Sequence, residues 1–467
     1  MGKITIKTKV FFNLIHKIML YNVYKEVIKS NVNPALWCTE PISVAYAASA
    51  LRKYVDDIEN IEELKIKVNW ELYKNAVGVY VPNSQWEKWL EIAAALWIIG
   101  GNYNKKLEVL DDIQSEDIDR AKDMVQKKIV DVSIDKNKKE LFVKAEVKLK
   151  NGDTISSIIE NTHSNITNII LNGDISLYNI QYDESLSDGH YYEELLKNSS
   201  LDELIHMASS IDEDDIEYIK KWIDMNMEIA NKESEYKWLW SVLDILSKKW
   251  LIADDIIGKI KILTTKATDA RMSGMNMPVM SSGGSGNQWI ISILVPYLYG
   301  KNVPVNEEWL VDERTIYESI AFSHLLNSYV KCFTWKLSAM CGCAVAAWLW
   351  AAWAIAYQRS GQDKEIIKDA INNLISDISG MLCDWAKLWC ANKINTAVES
   401  SISAALKAIE WYHVTPNDGI VWNTVEESIH NLWKVAKIGM SHVNDTLLDV
   451  LRQKNEFYWG KTWLQWT

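Results

Sequence analysis

Alternating apolar and polar side chains fill residues 139–180, which read KELFVKAEVKLKNGDTISSIIENTHSNITNIILNGDISLYNI. This period of two is typical of β-strands that bury one face. Asn151-Gly152 and Asn172-Gly173 are residue pairs that favour tight turns between strands. The pattern predicts a small antiparallel β-sheet within residues 126–182.

Apolar residues on both sides of this sheet recur every three or four positions, which is the spacing of amphipathic helices. Examples are FFNLIHKIMLYNVYKEVI near the N-terminus and WLEIAAALWII before the sheet. We therefore predict an α+β fold that is predominantly α-helical, a large helical domain with a small inserted antiparallel β-sheet. Its predicted parts are residues 1–125 (helical), 126–182 (inserted sheet), 183–453 (helical) and 454–467 (tail). A linker-like segment, ARMSGMNMPVMSSGGSGNQ, precedes the last helices.

Charge and hydropathy limit the partners that we expect. The chain of 467 residues carries a formal net charge of −12, and because nucleic-acid binding needs clustered Lys and Arg, we expect no nucleic-acid partner. Lysines interrupt the apolar residues of the first 20 positions, so we expect no signal peptide and a cytoplasmic protein. Residues Ser338–Tyr357, SAMCGCAVAAWLWAAWAIAY, are uncharged and long enough to cross a membrane. Their small side chains favour a buried helix instead, so we expect no membrane partner.

The cysteines concentrate in the last third of the chain. They are Cys38, Cys332, Cys341, Cys343, Cys383 and Cys390. In an unexported protein such crowding favours metal binding or catalysis over disulfides, with buried free thiols as the alternative. Cys383 and Cys390 and the separate Cys341-Gly342-Cys343 segment can share one metal ion or cluster. The spacing matches neither a ferredoxin run nor a paired zinc motif, so it does not identify the metal.

Cys38 stands apart from the other cysteines, just before a predicted helix. Thr39 is a suitable N-cap, and Pro41 suits a first helical turn. Amide N–H groups and the helix dipole at such a position favour the thiolate. Cys38 is therefore a candidate base or nucleophile, with a buried thiol as the alternative.

A glycine-rich loop, SSGGSGNQ at Ser281–Gln288, precedes the apolar segment WIISILVPYL. Backbone N–H groups that converge at a helix start bind carboxylate or phosphate. The candidate substrate-binding residues are Ser281, Ser282, Gly284, Ser285, Gly286 and Asn287, together with His163, which closes a predicted strand. A phosphate cradle for pyridoxal phosphate, a plain flexible loop and a surface histidine are the alternatives.

Tryptophan is unusually frequent relative to glycine. The chain has 23 Trp and 19 Gly, whereas glycine normally makes up ~7% of residues. Trp348, Trp350 and Trp353 interrupt an alanine helix, and Trp385 and Trp389 lie between two cysteines. Because even one extra methylene strains a tight core, we hypothesise that the gene uses a code that reads UGA as glycine and was translated with one that reads it as tryptophan.

Several segments, in the same order, resemble the L-cysteine desulfidase family, relatives of the alpha chain of iron–sulfur L-serine dehydratases. The matching segments are CTEPISVAYAA, KNAVGVYVP with EIAAALWIIGG, THSNI, ARMSGMNMPVMSSGGSGNQWI, KLSAMCGCAVAAW, GMLCDWAKLWCANK and DGIVWNTVEESIHNLWKVAKIGM. They extend from about residue 35 to about residue 440. The likeness therefore covers nearly the whole chain.

The resemblance implies a [4Fe–4S] cluster held by Cys343, Cys383 and Cys390, with Cys341 as the alternate to Cys343. It implies that Cys38 accepts a proton and that the enzyme splits a small amino-acid substrate, L-cysteine, into sulfide, ammonia and pyruvate without pyridoxal phosphate. L-Serine dehydratase with the same cluster is the closest alternative, and a non-catalytic metal-binding protein is another. The oligomeric state stays open, a homo-oligomer included.

Tryptophan stands at many positions where the family pattern has glycine. These positions are Trp37, Trp89, Trp97, Trp289, Trp335, Trp348, Trp350, Trp353, Trp385, Trp389 and Trp433. If the indoles are genuine, we expect an inactive homologue.

Overall fold

Two hydrophobic cores organise the chain in the computed structural model. The structure describes residues 19–29, 32–36, 39–76, 78–81, 83–85, 87–102, 104, 110, 112–138, 141–160, 165–174, 192, 194–233, 238–275, 277–282, 285–304, 309–333, 339–384, 388–447, 449–450 and 453. We call the described residues within 39–174 the sheet unit, because the smaller core lies against a five-stranded sheet there. We call those within 19–36 and 192–447 the helical body, which contains the larger core.

The first elements along the chain are α1 (residues 19–29), β1 (Val32–Leu36), α2 (Thr39–Leu51), β2 (Ile61–Val68), α3 (Trp70–Ala76), α4 (Leu90–Gly100), α5 (Ser115–Gln126), β3 (Val130–Ile134), β4 (Phe142–Leu149), β5 (Thr154–Glu160) and β6 (Ile166–Leu171). The later elements are α6 (Leu201–Ser209), α7 (Glu213–Asn231), α8 (Leu239–Lys248), α9 (Ile256–Met272), β7 (Pro278–Ser282), α10 (Gly286–Asn302), α11 (Glu313–Phe333), α12 (Gly342–Ser360), α13 (Lys364–Ile378), α14 (Cys390–Ile409) and α15 (Val425–Lys434). The predominantly α-helical α+β fold is therefore confirmed.

The sheet has the strand order β3-β2-β4-β5-β6 and differs in two respects from the prediction. β2 runs parallel to β3, so the sheet is mixed, whereas the other neighbouring strands are antiparallel. β2 also lies before residue 126, in a part that the apolar spacing assigns to helices. Its sequence, IEELKIKV, buries the four apolar residues Ile61, Leu64, Ile66 and Val68. A run of eight residues covers too few periods to separate strand from helix by spacing alone.

The two predicted Asn-Gly turns are present. Asn151 and Gly152 lie between β4 and β5, and Gly152 has a φ of 95°. Asn172 and Gly173 follow β6 with φ values of 51° and 85°. Positive φ at both central residues is the geometry of the turn that best matches the twist of a hairpin. The turn is closed by the backbone N–H of Asp174, which donates to the carbonyl of Leu171 at 2.9 Å.

β1 and β7 form a separate two-stranded antiparallel ladder in the helical body. Leu36 pairs with Pro278, and Val32 pairs with Ser282. The segment that the sequence suggests as a linker is thus occupied by the end of α9, by β7 and by the start of α10, so the linker prediction is wrong. After β1 the chain leaves the helical body, and α2 packs on β4 and β5 in the sheet unit.

α12 is the apolar helix that could also have been a membrane span. Its described side chains are largely buried against α10, α11, α13 and α14. Within the described part of the chain, none of the helices is both long enough and apolar enough to cross a bilayer. The burial of α12 follows from its alanines, which let neighbouring helices approach closely.

Candidate functional site

Two cysteine-bearing segments pair with each other in a short antiparallel bridge. The backbone N–H of Cys341 donates to the carbonyl of Met381 at 2.8 Å, and the N–H of Cys383 donates to the carbonyl of Ala339 at 2.7 Å. Cys341 and Cys383 are therefore diagonal neighbours across the bridge, a relation in which such residues lie roughly 7–8 Å apart. The bridge brings together two segments that are far apart in sequence.

Three of the cysteines of this site lie at helix starts. Cys341 is the N-cap of α12, Cys343 is the second residue of that helix, and Cys390 is the first residue of α14. The four described cysteines are Cys332, Cys341, Cys383 and Cys390. Helix starts favour the thiolate, which is the form that binds metals.

Lys393, in the first turn of α14, places a positive charge beside these thiols. Its Nζ donates to the carbonyl of Leu382 at 2.6 Å and forms an ion pair with Oδ1 of Asp384 at 2.5 Å. Burial by itself would lower the pKa of the Lys393 ammonium, but the hydrogen bond to Asp384 and the charges of Cys341, Asp384 and Cys383 together raise it. The ammonium therefore links α14 to the segment that carries Cys383.

The sheet unit contributes Lys74 and Asn75 to the same place. Lys74 is fully buried, and its Nζ lies 3.4 Å from the carbonyl oxygen of Cys383. The Oδ1 of Asn75 lies 3.9 Å from the Sγ of Cys383. Because both residues belong to α3, the end of this short helix joins the sheet unit to the cysteine site.

The glycine-rich segment forms the end of β7 and the start of α10. Ser281 is buried in β7, while Ser285 is the N-cap of α10 and accepts a hydrogen bond from the backbone N–H of Gln288. α10 thus begins at Gly286, earlier than the apolar segment that predicts it. Gly286 and Asn287 are both buried in its first turn.

Arg271, near the end of α9, covers this helix start. Its guanidinium is buried, and Nη1 donates to Oδ1 of Asn287 at 2.9 Å. A Cβ atom on Gly286 would lie 2.4 Å from the Nε of Arg271 and 2.7 Å from a methyl group of Val279. Gly286 is therefore required for the guanidinium to lie against the start of α10.

The starts of α10 and α12 face each other. A Cβ atom on Gly342 would lie 3.0 Å from Nε2 of Gln288. Since Gly342 separates Cys341 from Cys343, the first turn of α10 lies directly beside the cysteine site. The structure thereby brings the candidate carboxylate receptor next to the candidate metal ligands.

Several predicted site residues lie outside the described residues. They are Cys38, His163, Gly284 and the side chains of Ser282 and Cys343. Among the described side chains, no three His, Cys, Asp or Glu residues form a group that could hold a metal ion.

The described elements on either side of Cys38 are β1 and α2. Leu36 ends β1, and α2 begins at Thr39, one residue earlier than the start predicted with Thr39 as the N-cap. Leu36 pairs with Pro278, at the opposite end of β7 from Ser282. The two ends are about 13 Å apart at ~3.3 Å per strand residue. The step from β1 to α2 is therefore the step from the helical body to the sheet unit.

Sequence reasoning missed Lys74, Arg271 and Lys393 as members of the site. A lysine or arginine in an amphipathic pattern is ordinarily placed at the surface, because these residues are rarely buried. The available signal was their position inside segments that match the family, KNAVGVYVP, ARMSGMNMP and GMLCDWAKLWCANK. Only the packing shows that Lys74 and Arg271 are buried.

Comparisons with known proteins identify the family of this chain. Residues 104–449 match the family described as serine dehydratase alpha chain. The chain is 39% identical over 433 residues to a UPF0597 protein of Geobacter sulfurreducens, covering 93% of this chain and 99% of the relative. It is 37% identical to a UPF0597 protein of Elusimicrobium minutum (93% and 99% covered) and 36% identical to one of Clostridium tetani (91% and 97% covered). The protein therefore belongs to the serine dehydratase alpha-chain family.

Proposed function

We propose that this protein is an iron–sulfur lyase that eliminates sulfide from L-cysteine and leaves ammonia and pyruvate. The observation that carries the proposal is the bridge between the segments of Cys341 and Cys383, which meets the start of α14 through Lys393. Three cysteine-bearing segments thus converge beside a positive charge. Membership in a family of iron–sulfur lyases of the serine dehydratase type supports the same reaction class.

The donors suit a [4Fe–4S] cluster. Cysteine thiolates are the usual ligands of such clusters, and the helix starts together with Lys393 favour the thiolate form here. We assign Cys343, Cys383 and Cys390 as ligands, with Cys341 as the alternate to Cys343. When bound, the cluster would supply an open iron that polarises the leaving group as a Lewis acid.

Protein groups would perform the proton transfer and the orientation of the substrate. Cys38, as a thiolate just before α2, accepts the Cα proton while the Cα–Cβ double bond forms and the Cβ–S bond breaks. Backbone N–H groups at the start of α10 orient the substrate carboxylate. The resulting aminoacrylate tautomerises and hydrolyses to pyruvate and ammonia. His163 is a further candidate for contact with the substrate.

L-Serine dehydratase is the second candidate function. The family description favours it, and the two reactions differ only in the atom that leaves. The rates of pyruvate formation from L-cysteine and from L-serine, measured side by side on protein prepared without oxygen, distinguish them. A higher kcat/KM for serine would make the protein a dehydratase.

The ligand assignment is tested by the iron content of Cys383→Ser. We expect the variant to lose nearly all iron after anaerobic reconstitution, because a hydroxyl is a poor replacement for a thiolate ligand. Cys332→Ser is the matched control, since the thiol of Cys332 donates to the carbonyl of Ser328 in α11 and lies outside the bridge. Full iron retention by Cys383→Ser would remove it from the ligand set. Cys341→Ser and Cys343→Ser, compared in the same way, decide between the two alternates.

The role of Cys38 is tested by Cys38→Ala. We expect wild-type iron content together with a loss of sulfide release of about 100-fold or more, the usual contribution of a positioned general base. An active Cys38→Ala enzyme would dismiss Cys38 as the base. Loss of iron in this variant would instead assign it to the ligands.

A further inference from the structure

We propose that the start of α10 is a receptor for the backbone of an α-amino acid, in which Arg271 binds the carboxylate and Gln288 accepts from the ammonium. This inference rests on the proposed lyase function, whose substrate carries both groups. It adds two side chains to the backbone N–H groups that the sequence suggests.

Arg271 has the geometry of a carboxylate-binding group. Its side chain is 4% exposed and lies against the helix start where Gly286 leaves room for it. Its Nη1 donates to Asn287, which fixes the guanidinium at the N-terminal end of α10. A guanidinium offers several N–H donors in a planar fork that matches a carboxylate. The positive end of the helix dipole adds to the attraction for an anion.

Gln288 supplies the complementary acceptor. Its side chain is 5% exposed, and its buried Oε1 has no hydrogen-bond partner among the described residues. An unsatisfied buried acceptor is costly, about 1–3 kcal/mol, and such groups commonly face a ligand or water. An ammonium group offers three N–H donors to this oxygen.

The location of the receptor suits the reaction. Gln288 lies against Gly342, the residue that separates the candidate ligands Cys341 and Cys343 in the sequence. An amino acid whose carboxylate and ammonium are held at the first turn of α10 therefore lies beside the cysteine site. If the carboxylate and the ammonium are both held, cysteine and serine differ only in the group on Cβ.

Calorimetry tests the roles of Arg271 and Gln288. It measures the binding of three small ligands to the full-length, iron-loaded protein. L-Alanine carries both groups and no leaving group, L-alaninamide lacks the carboxylate, and L-lactate lacks the ammonium. We expect Arg271→Gln to weaken alanine and lactate by roughly 100-fold and to leave alaninamide unchanged, as for removal of one partner of a buried charge pair. We expect Gln288→Met to weaken alanine and alaninamide by roughly 10-fold and to leave lactate unchanged.

Controls keep this test decisive. Arg314→Gln removes a half-exposed arginine that pairs with Glu318 away from the site, and it should bind all three ligands as wild type does. If Arg271→Gln does not fold, Arg271→Lys keeps the charge without the fork and should still lose part of the affinity for alanine. Equal weakening of all three ligands by Arg271→Gln, or none, would overturn the proposal. Wild-type binding of alanine without sulfide release from cysteine or pyruvate formation from serine would reject the lyase function and leave the receptor standing.

A second inference comes from the backbone conformation at two helix ends, those at Trp250 and Trp411. Both residues have left-handed φ values, 59° and 62°. The N–H of Trp250 donates to Ser247, and the next N–H donates back to Leu246; Trp411 makes the same pair of bonds at the end of α14. This hydrogen-bond pattern ends many helices, and its left-handed residue is usually glycine.

Gly274 shows the same helix end with the expected residue. It follows α9 with a φ of 82°, and its N–H donates to the carbonyl of Arg271 at 3.2 Å. Trp89, before α4, is more extreme, with φ 85° and ψ 146°. That combination lies close to a region that is essentially restricted to glycine.

Packing gives an independent indication at Trp289. The ring centroids of Trp289 in α10 and His324 in α11 are 3.2 Å apart, well below the 4.5–7 Å at which aromatic rings pack. The same two helices meet elsewhere at Gly300, where a Cβ atom would lie 2.7 Å from Ile316. The buried indole N–H of Trp289 also has no acceptor among the described residues. The helix pair thus requires a small residue at both contacts.

We infer that glycine occupies positions 89, 250, 289 and 411 in the protein that the source organism makes, because its code reads UGA as glycine. Trp250 and Trp411 are not among the positions that the family resemblance marks, so the structure extends the hypothesis to them. The conformations and contacts at all four residues are those that glycine adopts without strain.

The codons in the gene, together with peptide masses of the protein isolated from the source organism, test this inference. We expect UGA codons and glycine residue masses at 89, 250, 289 and 411. Gly274 is the internal control, since it should have a standard glycine codon and the same residue mass. UGG codons or tryptophan masses at these four positions would overturn the inference.

Discussion

The sheet unit and the helical body both place residues in the left-handed conformation, at turns and at helix ends. In the sheet unit, Gly152 and Gly173 occupy the turns beside the strands. In the helical body, Gly274 ends one helix, whereas Trp250 and Trp411 end two others. In the sheet unit, Lys128 ends α5 with the same pair of hydrogen bonds and a φ of 57°, and Trp89 precedes α4 with a φ of 85°. Residues with side chains therefore adopt the left-handed conformation in both parts, and three of the eight such described residues are tryptophan.

The two parts also differ in where they put charge. The sheet carries ion pairs at its surface, such as Lys138 with Glu160 at 2.8 Å. The helical body buries the carboxyl of Asp269 in α9 and the imidazole of His324 in α11, and the sheet unit buries the ammonium of Lys74. We therefore expect pH to act on the helical body through Asp269.

The largest expected effect is the pH dependence due to Asp269. Burial raises the pKa of this carboxyl from 3.8 to about 7, although backbone N–H groups of Trp240 and Leu239 oppose the shift. Because the folded state favours the protonated form, this contribution to stability is present below pH ~4 and is lost as the pH rises to ~7. It amounts to at most about 4 kcal/mol. The free energy of unfolding of Asp269→Asn should not show this decrease between pH 4.5 and pH 8, as measured by urea unfolding.

Glu160→Gln is the control in the sheet, because it removes a carboxylate of an exposed pair. It should leave the pH dependence of unfolding close to that of wild type. If Asp269→Asn shows the same pH dependence as wild type, the difference between the two parts does not lie in this carboxyl.

The next largest effect is expected for Trp289→Gly. Removing the overlap with His324 should raise the free energy of unfolding by up to about 2 kcal/mol, since overpacking costs ~1–3 kcal/mol and glycine in a helix costs ~1 kcal/mol. Leu294→Ala, a buried neighbour in α10, should instead lower it by roughly 2–5 kcal/mol. Chemical denaturation of both variants measures the difference. A destabilised Trp289→Gly would show that the indole is accommodated.

The helix ends should show a smaller change. Trp250→Gly and Trp411→Gly should each raise the free energy of unfolding by about 1 kcal/mol, because a left-handed residue with a side chain costs ~1–2 kcal/mol. Gly274→Ala, the same motif with the opposite change, should lower it by a similar amount. Thermal unfolding of the three variants compares them directly. If all three substitutions change the free energy of unfolding in the same direction, glycine is not preferred at these helix ends.

The smallest effect is expected at the sheet surface. Lys138→Ala removes the partner of Glu160, and both side chains are partly exposed. We expect a loss of about 0.5 kcal/mol, which should disappear in 1 M salt because exposed pairs are screened. A loss above ~2 kcal/mol would mean that the sheet also depends on its charges.

The sequence predicts the sheet well because its information is local. Alternation places the apolar residues of β4 to β6, and the Asn-Gly pairs place the turns. The start of α10 is also close to the prediction, and the remaining difference arises because Ser285 caps the helix before its apolar run. Local patterns of this kind need no knowledge of the rest of the chain.

The candidate site is less predictable because it is made by contacts between distant segments. The bridge between the segments of Cys341 and Cys383 involves only a few residues on each side, so no periodic pattern in the sequence predicts it. Lys74 approaches the same segment from the sheet unit. The family resemblance names the cysteines, whereas the cations that surround them follow only from packing.

The ladder of β1 with β7 has a consequence for biosynthesis. Val32 cannot pair with Ser282 until the intervening chain has been made. Pairing between strands so far apart in sequence is slow. The sheet unit can complete its own core earlier, because domains fold as units during synthesis. Cys341, Cys383 and Cys390 follow β7 in the chain, so a ribosome that stalls before them would expose a folded sheet unit without the cysteine segments that pack beside it. The proposed metal centre would therefore form only after these segments have been made.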